Sequence, residues 1–179
     1  MTPFVDSPDR YGLVSRILHW GMALLFLAQF VSAAAHWGLP PENAIRDFAW
    51  SYHQSLGMTL FLLVLMRGIW GLANRQRRPL HEGTLGRAAV VGHLALYTLM
   101  IIVPAVRILS SIGSTRGLSY FGLRIIAPRT EEVAWMQAPS EWHGEMGWIL
   151  ALLIVGHAGM AMVWHRLIKR DDVLARMTN

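Results

Sequence analysis

Five histidines stand where they could do chemistry: His19, His53, His93, His143 and His157, each inside or at the edge of a long apolar run. An ionisable side chain at such a place is costly and is usually kept for a function. One lone imidazole there is most simply neutral and hydrogen-bonded to a neighbouring helix. At least one on each of four runs, at matching depths, points to a shared task. The spacing of His143 and His157 says most. Fourteen residues are close to four helical turns, so the two project from nearly the same face, about 21 Å apart along the axis. A single helix can then offer a ligand at two levels.

The elements that must position these side chains follow from composition. Hydrophobic residues make up 54% of the 179 and charged ones 15%, against about 25% charged in soluble domains. The apolar runs give four spans, at about 13–35, 52–72, 88–109 and 143–165, each long enough for a hydrocarbon core of about 30 Å. No repeat divides the chain, so residues 1–179 are expected to form one all-α domain, a four-transmembrane-helix bundle in the lipid bilayer. Arg10 and Arg16 ahead of the first run, with Ser32 to Ala35 closing it, resemble a cleavable signal. The run is long for that, and a retained helix is expected. Ten Lys and Arg flank one side (Arg10, Arg16, Arg75, Arg77, Arg78, Arg87, Arg166, Lys169, Arg170, Arg176) and five the other (Arg46, Arg107, Arg116, Arg124, Arg129). By the positive-inside rule both termini should be cytoplasmic. The net charge of +5 therefore reports orientation rather than a nucleic-acid partner. The outer connection, about Ser110 to Trp142, should be an ordered interfacial segment with room for a short helix along the membrane.

Depth then pairs the histidines. His53 and His143 open helices that enter from the outer side, so they share an outer level. His19, at the cytoplasmic start of the first helix, shares an inner level with His157. Two imidazoles per level do not make the four-ligand site that structural zinc wants, whereas haem iron takes two axial ligands on opposite faces of a flat ring. The chain has no cysteine, which excludes iron–sulfur clusters and covalent c-type attachment. Two b-type haems with axial pairs His53/His143 and His19/His157 are expected.

Gly57 and Gly147 each lie one turn beyond an outer histidine, where a porphyrin needs a missing side chain; helix–helix packing through small residues explains them equally well. Arg67, fourteen residues beyond His53, and Arg16, one turn before His19, fall at the inner level. Each could pair with a haem propionate or snorkel to the cytoplasmic surface. His93 enters near the same level and could replace His19, or hydrogen-bond a propionate or a quinone. His165 could serve a quinone or face the headgroups. His36 and His81 are expected in exposed loops.

Arg16-Ile17-Leu18-His19-Trp20, His53-x-x-x-Gly57, Gly92-His93-Leu94-x-x-Tyr97 with Pro104, Trp142-His143-Gly144-Glu145, Gly156-His157 and Lys169-Arg170-Asp171-Asp172-x-Leu174-x-x-Met177 occur in that order along nearly the whole chain. In this the chain resembles the bacterial cytochrome b561 family and, more distantly, the cytochrome b subunit of nickel–iron hydrogenases. The resemblance implies a four-helix dihaem protein of the bacterial inner membrane, with ligands at His19, His53, His143 and His157, and quinone chemistry with ubiquinone as substrate. Some members oxidise superoxide at the outer face; others take electrons from a partner dehydrogenase or hydrogenase. The expected function is electron transfer between an outer donor, superoxide or a redox protein, and membrane quinone. The alternative is a membrane-anchor subunit relaying a partner enzyme's electrons. A non-redox transporter or structural protein is the third reading, and it would lack haem absorption. Arg107, Arg116, Arg124 and Arg129 could steer an anionic donor, but Glu131, Glu132, Glu141 and Glu145 share their side and largely cancel them.

Overall fold

The computed structural model describes residues 4–78 and 83–178. Its long elements are α1 (Leu13–Gly38), α2 (Ala44–Ala73), α3 (Gly83–Ile112) and a fourth, composite helix. The last begins with a short α4 (Ala134–Gln137) and a 3-10 turn (Ala138–Trp142). It continues as α5 (His143–Gly159) and a π-helical segment (Met160–Lys169). All four are long and apolar enough to cross a membrane. Their flanks explain why they run beyond the apolar stretches. Asn43 caps α2 by accepting from the Ile45 and Arg46 backbone N–H groups (2.9 and 3.4 Å), so α2 starts well before Tyr52. Pro104 lies inside α3, as membrane helices tolerate where neighbouring groups satisfy the freed carbonyl.

The helices meet along one apolar seam. Met22 and Phe26 of α1, Leu60 and Val64 of α2, Leu96 and Met100 of α3 and Leu150 of α5 form the buried cluster. Leu150 falls between His143 and His157, Met22 and Phe26 follow His19, Leu60 and Val64 follow His53, and Leu96 and Met100 follow His93, so the cluster separates the two levels. The outward faces are the opposite of a water-soluble surface: Leu24 is 69%, Ile69 71% and Leu152 72% exposed. Lipid is the solvent that suits them.

The outer connection contains a feature the sequence reading missed. Between α3 and α4, strands β1 (Leu118–Tyr120) and β2 (Leu123–Ile126) pair antiparallel. Phe121 (φ 44) and Gly122 (φ 83) form the turn, and two successive positive φ values are what a type I′ hairpin requires. The ribbon is fastened to α2: the Phe121 N–H donates to Ser55 Oγ (2.9 Å), Gln54 donates to the Ser119 carbonyl (2.7 Å), and Tyr120 meets Thr59 (3.1 Å). The expected short helix appears as α4 and its 3-10 turn, which run directly into the fourth span.

Both described chain ends lie at one end of the bundle. The Tyr11 N–H donates to the Arg176 carbonyl (3.1 Å), Arg16 Nη2 to Thr178 (2.8 Å) and Trp20 Nε1 to Met177 (3.1 Å). An even number of spans puts both ends on the same side of the bundle. The π segment stops at Arg170, which adopts a left-handed conformation (φ 55), and the chain then turns around Asp171. That carboxylate accepts from His165 Nδ1 (2.9 Å) and pairs with Lys169 Nζ (3.0 Å). Burial by itself would raise the Asp171 carboxyl; hydrogen bonds from His165, Lys169 and the Val173 N–H instead hold it down at about 2. His165 is thus engaged in closing the helix end. A short α6 (Ala175–Thr178) completes the tail.

Candidate functional site

The bundle brings the histidines together at two levels. The His53 and His143 ring centroids are 6.3 Å apart with planes at 79°; those of His19 and His157 are 6.1 Å apart at 73°. Metal–imidazole bonds are about 2 Å long, so two imidazoles bonded to one ion from opposite sides have centroids about 6 Å apart. Both pairs have that separation. Among the described residues no group of three or more His, Cys, Asp or Glu is arranged to hold a metal ion by itself. The arrangement suits an ion that brings its other ligands with it.

Hydrogen bonds assign the tautomers at the outer level. Ser32 Oγ spends its only proton on the Gln29 carbonyl (2.7 Å), so it accepts from His53 Nδ1 (2.8 Å). His143 Nδ1 lies 2.9 Å from the Val103 carbonyl, which can only accept. In both rings the proton is therefore on Nδ1 and the lone pair on Nε2, the state a metal-bound histidine has when its other nitrogen is anchored. The His53 lone pair faces the Gln29 amide (3.1 Å). A cavity of about 640 Å³ opens here, lined by His53, His143, Gly57, Gly147, Arg107 and Arg116, a size usual for a cofactor pocket. A Cβ on Gly147 would meet nothing within 4 Å, and one on Gly57 would meet only Gln29. Gly147 thus borders open space, whereas Gly57 also lets Gln29 of α1 approach closely, a Cβ there coming within 3.2 Å of it.

The inner level is built differently. Arg67 Nη2 lies 3.3 Å from His19 Nδ1. Guanidinium only donates, so here Nδ1 accepts and the proton is on Nε2. Arg67 also lies over the Tyr97 ring, 5.5 Å from its centroid. His93 joins the group, its centroid 5.2 Å from that of His157 and its Nδ1 2.6 Å from the Ala89 carbonyl. Arg16 holds the tail through Thr178, while its Nη1 is buried with no hydrogen-bond partner among the described residues.

His36 is not a loop residue. It sits in the last turn of α1, half-buried, with its ring stacked on Trp50 at 3.7 Å and 13°. The expectation failed because α1 runs on to Gly38, where an indole offers the imidazole an apolar face. His81 falls outside the described residues. Sequence reasoning also missed Ser32, Gln29 and Trp50, which touch His53. Trp50 had a signal, since it precedes His53 by three residues and so shares its helix face. Ser32 and Gln29, on another helix, had none.

A family model described as prokaryotic cytochrome b561 matches residues 10–179. The chain belongs to the prokaryotic cytochrome b561 family. It is also 30% identical over 178 residues to cytochrome b561 homolog 2 of Escherichia coli (strain K12), covering 97% of this chain and 94% of that one. As a cytochrome b561 it is a multi-pass bacterial membrane protein that carries electrons by b-type haem. The residues fit that group: facing imidazoles a metal's width apart, and at the outer level a glycine-bordered cavity.

Proposed function

We propose that this cytochrome b561 holds two haems, the outer by His53 and His143 and the inner by His19 and His157, and links an outer electron donor to membrane quinone. The observation that carries this is the pair of facing imidazole sets, 6.3 and 6.1 Å between centroids, on either side of the buried apolar cluster. When bound, each haem supplies a one-electron iron couple tuned by its axial ligands. The protein supplies orientation and insulation. Ser32 and Val103 fix the outer imidazoles with their lone pairs on Nε2. Gly57 and Gly147 leave room between the helices. Met22, Leu60, Val64 and Leu150 keep water from the space between the levels.

Arg107 and Arg116 beside the outer pair favour an anionic donor such as superoxide at that mouth. The arginine and lysine excess at the opposite end supports cytoplasmic termini, and with them reduction of a quinone such as ubiquinone on the inner side.

One observation favours a second inner pair. His93 donates Nδ1–H to Ala89, which places its ring lone pair on Nε2, whereas Arg67 opposes that tautomer in His19. His19 as ligand requires Arg67 to leave Nδ1. Optical spectra of His19→Ala and His93→Ala decide: the variant that loses the inner component has lost the ligand. The whole reading is tested by haem content of the purified protein, expected at two per chain, followed by stopped-flow reduction with superoxide and reoxidation with quinone. Rates no faster than in a haem-free control, with a dehydrogenase or hydrogenase co-purifying, would instead establish a relay subunit.

A further inference from the structure

Rotation about the Cβ–Cγ bond is the soft torsion of a histidine side chain. Hydrogen bonds at the ring nitrogens orient its edges; a face contact further restricts its plane. His53 has such a contact, because the Trp50 ring stacks on it with centroids 4.5 Å apart and planes at 26°. Trp50 is three residues earlier on α2, so the two rings share one rigid helix face. Trp50 is in turn gripped from α1: His36 stacks on it at 3.7 Å and 13°, and the His36 carbonyl accepts from Arg46 Nε (3.1 Å). His36, Trp50 and His53 all line the outer cavity. At the inner level the corresponding neighbour, Trp20, meets His19 edge-on (5.2 Å, 77°).

We propose that Trp50, clamped by His36, is a positioning residue that sets the plane of the His53 imidazole and so keeps the outer pair crossed. This rests on reading His53 and His143 as the outer axial ligands. The consequence is electronic. Each axial imidazole interacts with the iron dπ orbital that matches its ring plane. Crossed planes leave the two dπ orbitals nearly equal in energy, and nearly parallel planes split them. A ferric low-spin centre with crossed planes gives a strongly anisotropic electron paramagnetic resonance signal with a large maximum g value; splitting lowers that value. An aromatic residue that only anchors the protein at the membrane interface would not affect it.

The experiment records low-temperature spectra of the oxidised, purified protein. The outer signal is identified as the one that His143→Ala removes. Trp50→Leu is expected to shift that signal to a smaller maximum g value and leave the inner signal in place. Trp50→Phe, which keeps a stacking face, should hold it near its original position, and His36→Ala should give a shift of intermediate size. An outer signal unmoved in both Trp50→Leu and His36→Ala, with two haems still bound, overturns the proposal. Should Trp50→Leu fail to retain the outer haem, His36→Ala decides alone: a shift supports the clamp and an unmoved signal overturns it. A parent protein with no outer signal sensitive to His143→Ala refutes instead the ligand assignment, and the proposal falls with it.

Discussion

The two levels of histidines have nearly the same spacing but are held by opposite means. At the outer level every contact to a ring nitrogen at Nδ1 is an acceptor, Ser32 Oγ for His53 and the Val103 carbonyl for His143, so both lone pairs are on Nε2, that of His53 meeting the Gln29 amide. At the inner level a fixed cation, Arg67, donates into His19, and a third imidazole, His93, competes for the same neighbour. Neutral acceptors fix a tautomer and add no charge. A guanidinium opposes that tautomer and places a permanent positive charge beside the site. The outer site is specified by hydrogen-bond geometry and the inner one by electrostatics, so the two should respond to different substitutions.

The largest expected effect separates the levels outright. His143→Ala removes the outer haem and leaves the inner, so haem content falls from two to one while the circular dichroism of the helices is retained. Loss of both in a folded protein would contradict the pairing by level. Next, Ser32→Ala frees the His53 tautomer. Loss of such a support typically weakens binding about 10–100-fold, and titration with limiting haem should show that loss in the outer component alone.

Arg67→Leu probes the other side of the comparison. Removing a cation beside the inner site disfavours the reduced form, so its midpoint potential should fall, on the order of 60 mV for a tenfold change in a one-electron equilibrium. Redox titration should find the outer component unmoved. The smallest effect lies in the tail. Asp171, depressed from 3.8 to about 2, contributes stability that is complete above its unfolded value and is lost as pH falls toward 2. The protection of the amides of residues 172–178 against exchange, relative to the unfolded-chain rate at each pH, should therefore fall between pH 4 and 2, and Asp171→Asn should lower it at neutral pH. The pairs are partly exposed, so global stability should barely change.

The sequence made the four helices legible because lipid demands long apolar runs, and the levels legible because helical rise converts residue number into depth. His143 and His157 needed only that arithmetic. Boundaries were less legible. The start of α2 depends on the Asn43 cap rather than on hydropathy, and the π segment after Gly159 has no compositional mark. The hairpin turn at Phe121-Gly122 was hard to read, because only Gly122 is a usual type I′ residue and Phe121 takes a positive φ that its type disfavours. Contacts between helices were the least legible. Nothing along the chain says that Ser32 reaches His53, or that Arg67 points its charge at His19, since both depend on the rotation of one helix against another.

Both imidazole pairs draw one member from α5, and their other members come from α1 and α2. While the ribosome is still making the outer hairpin, the earlier helices offer His53 and His19 without their partners. Neither pair is complete until the final span has been inserted. A nascent chain stalled before Trp142 would reach the bilayer with His19, His53 and His93 but without the α5 imidazole that faces them at either height.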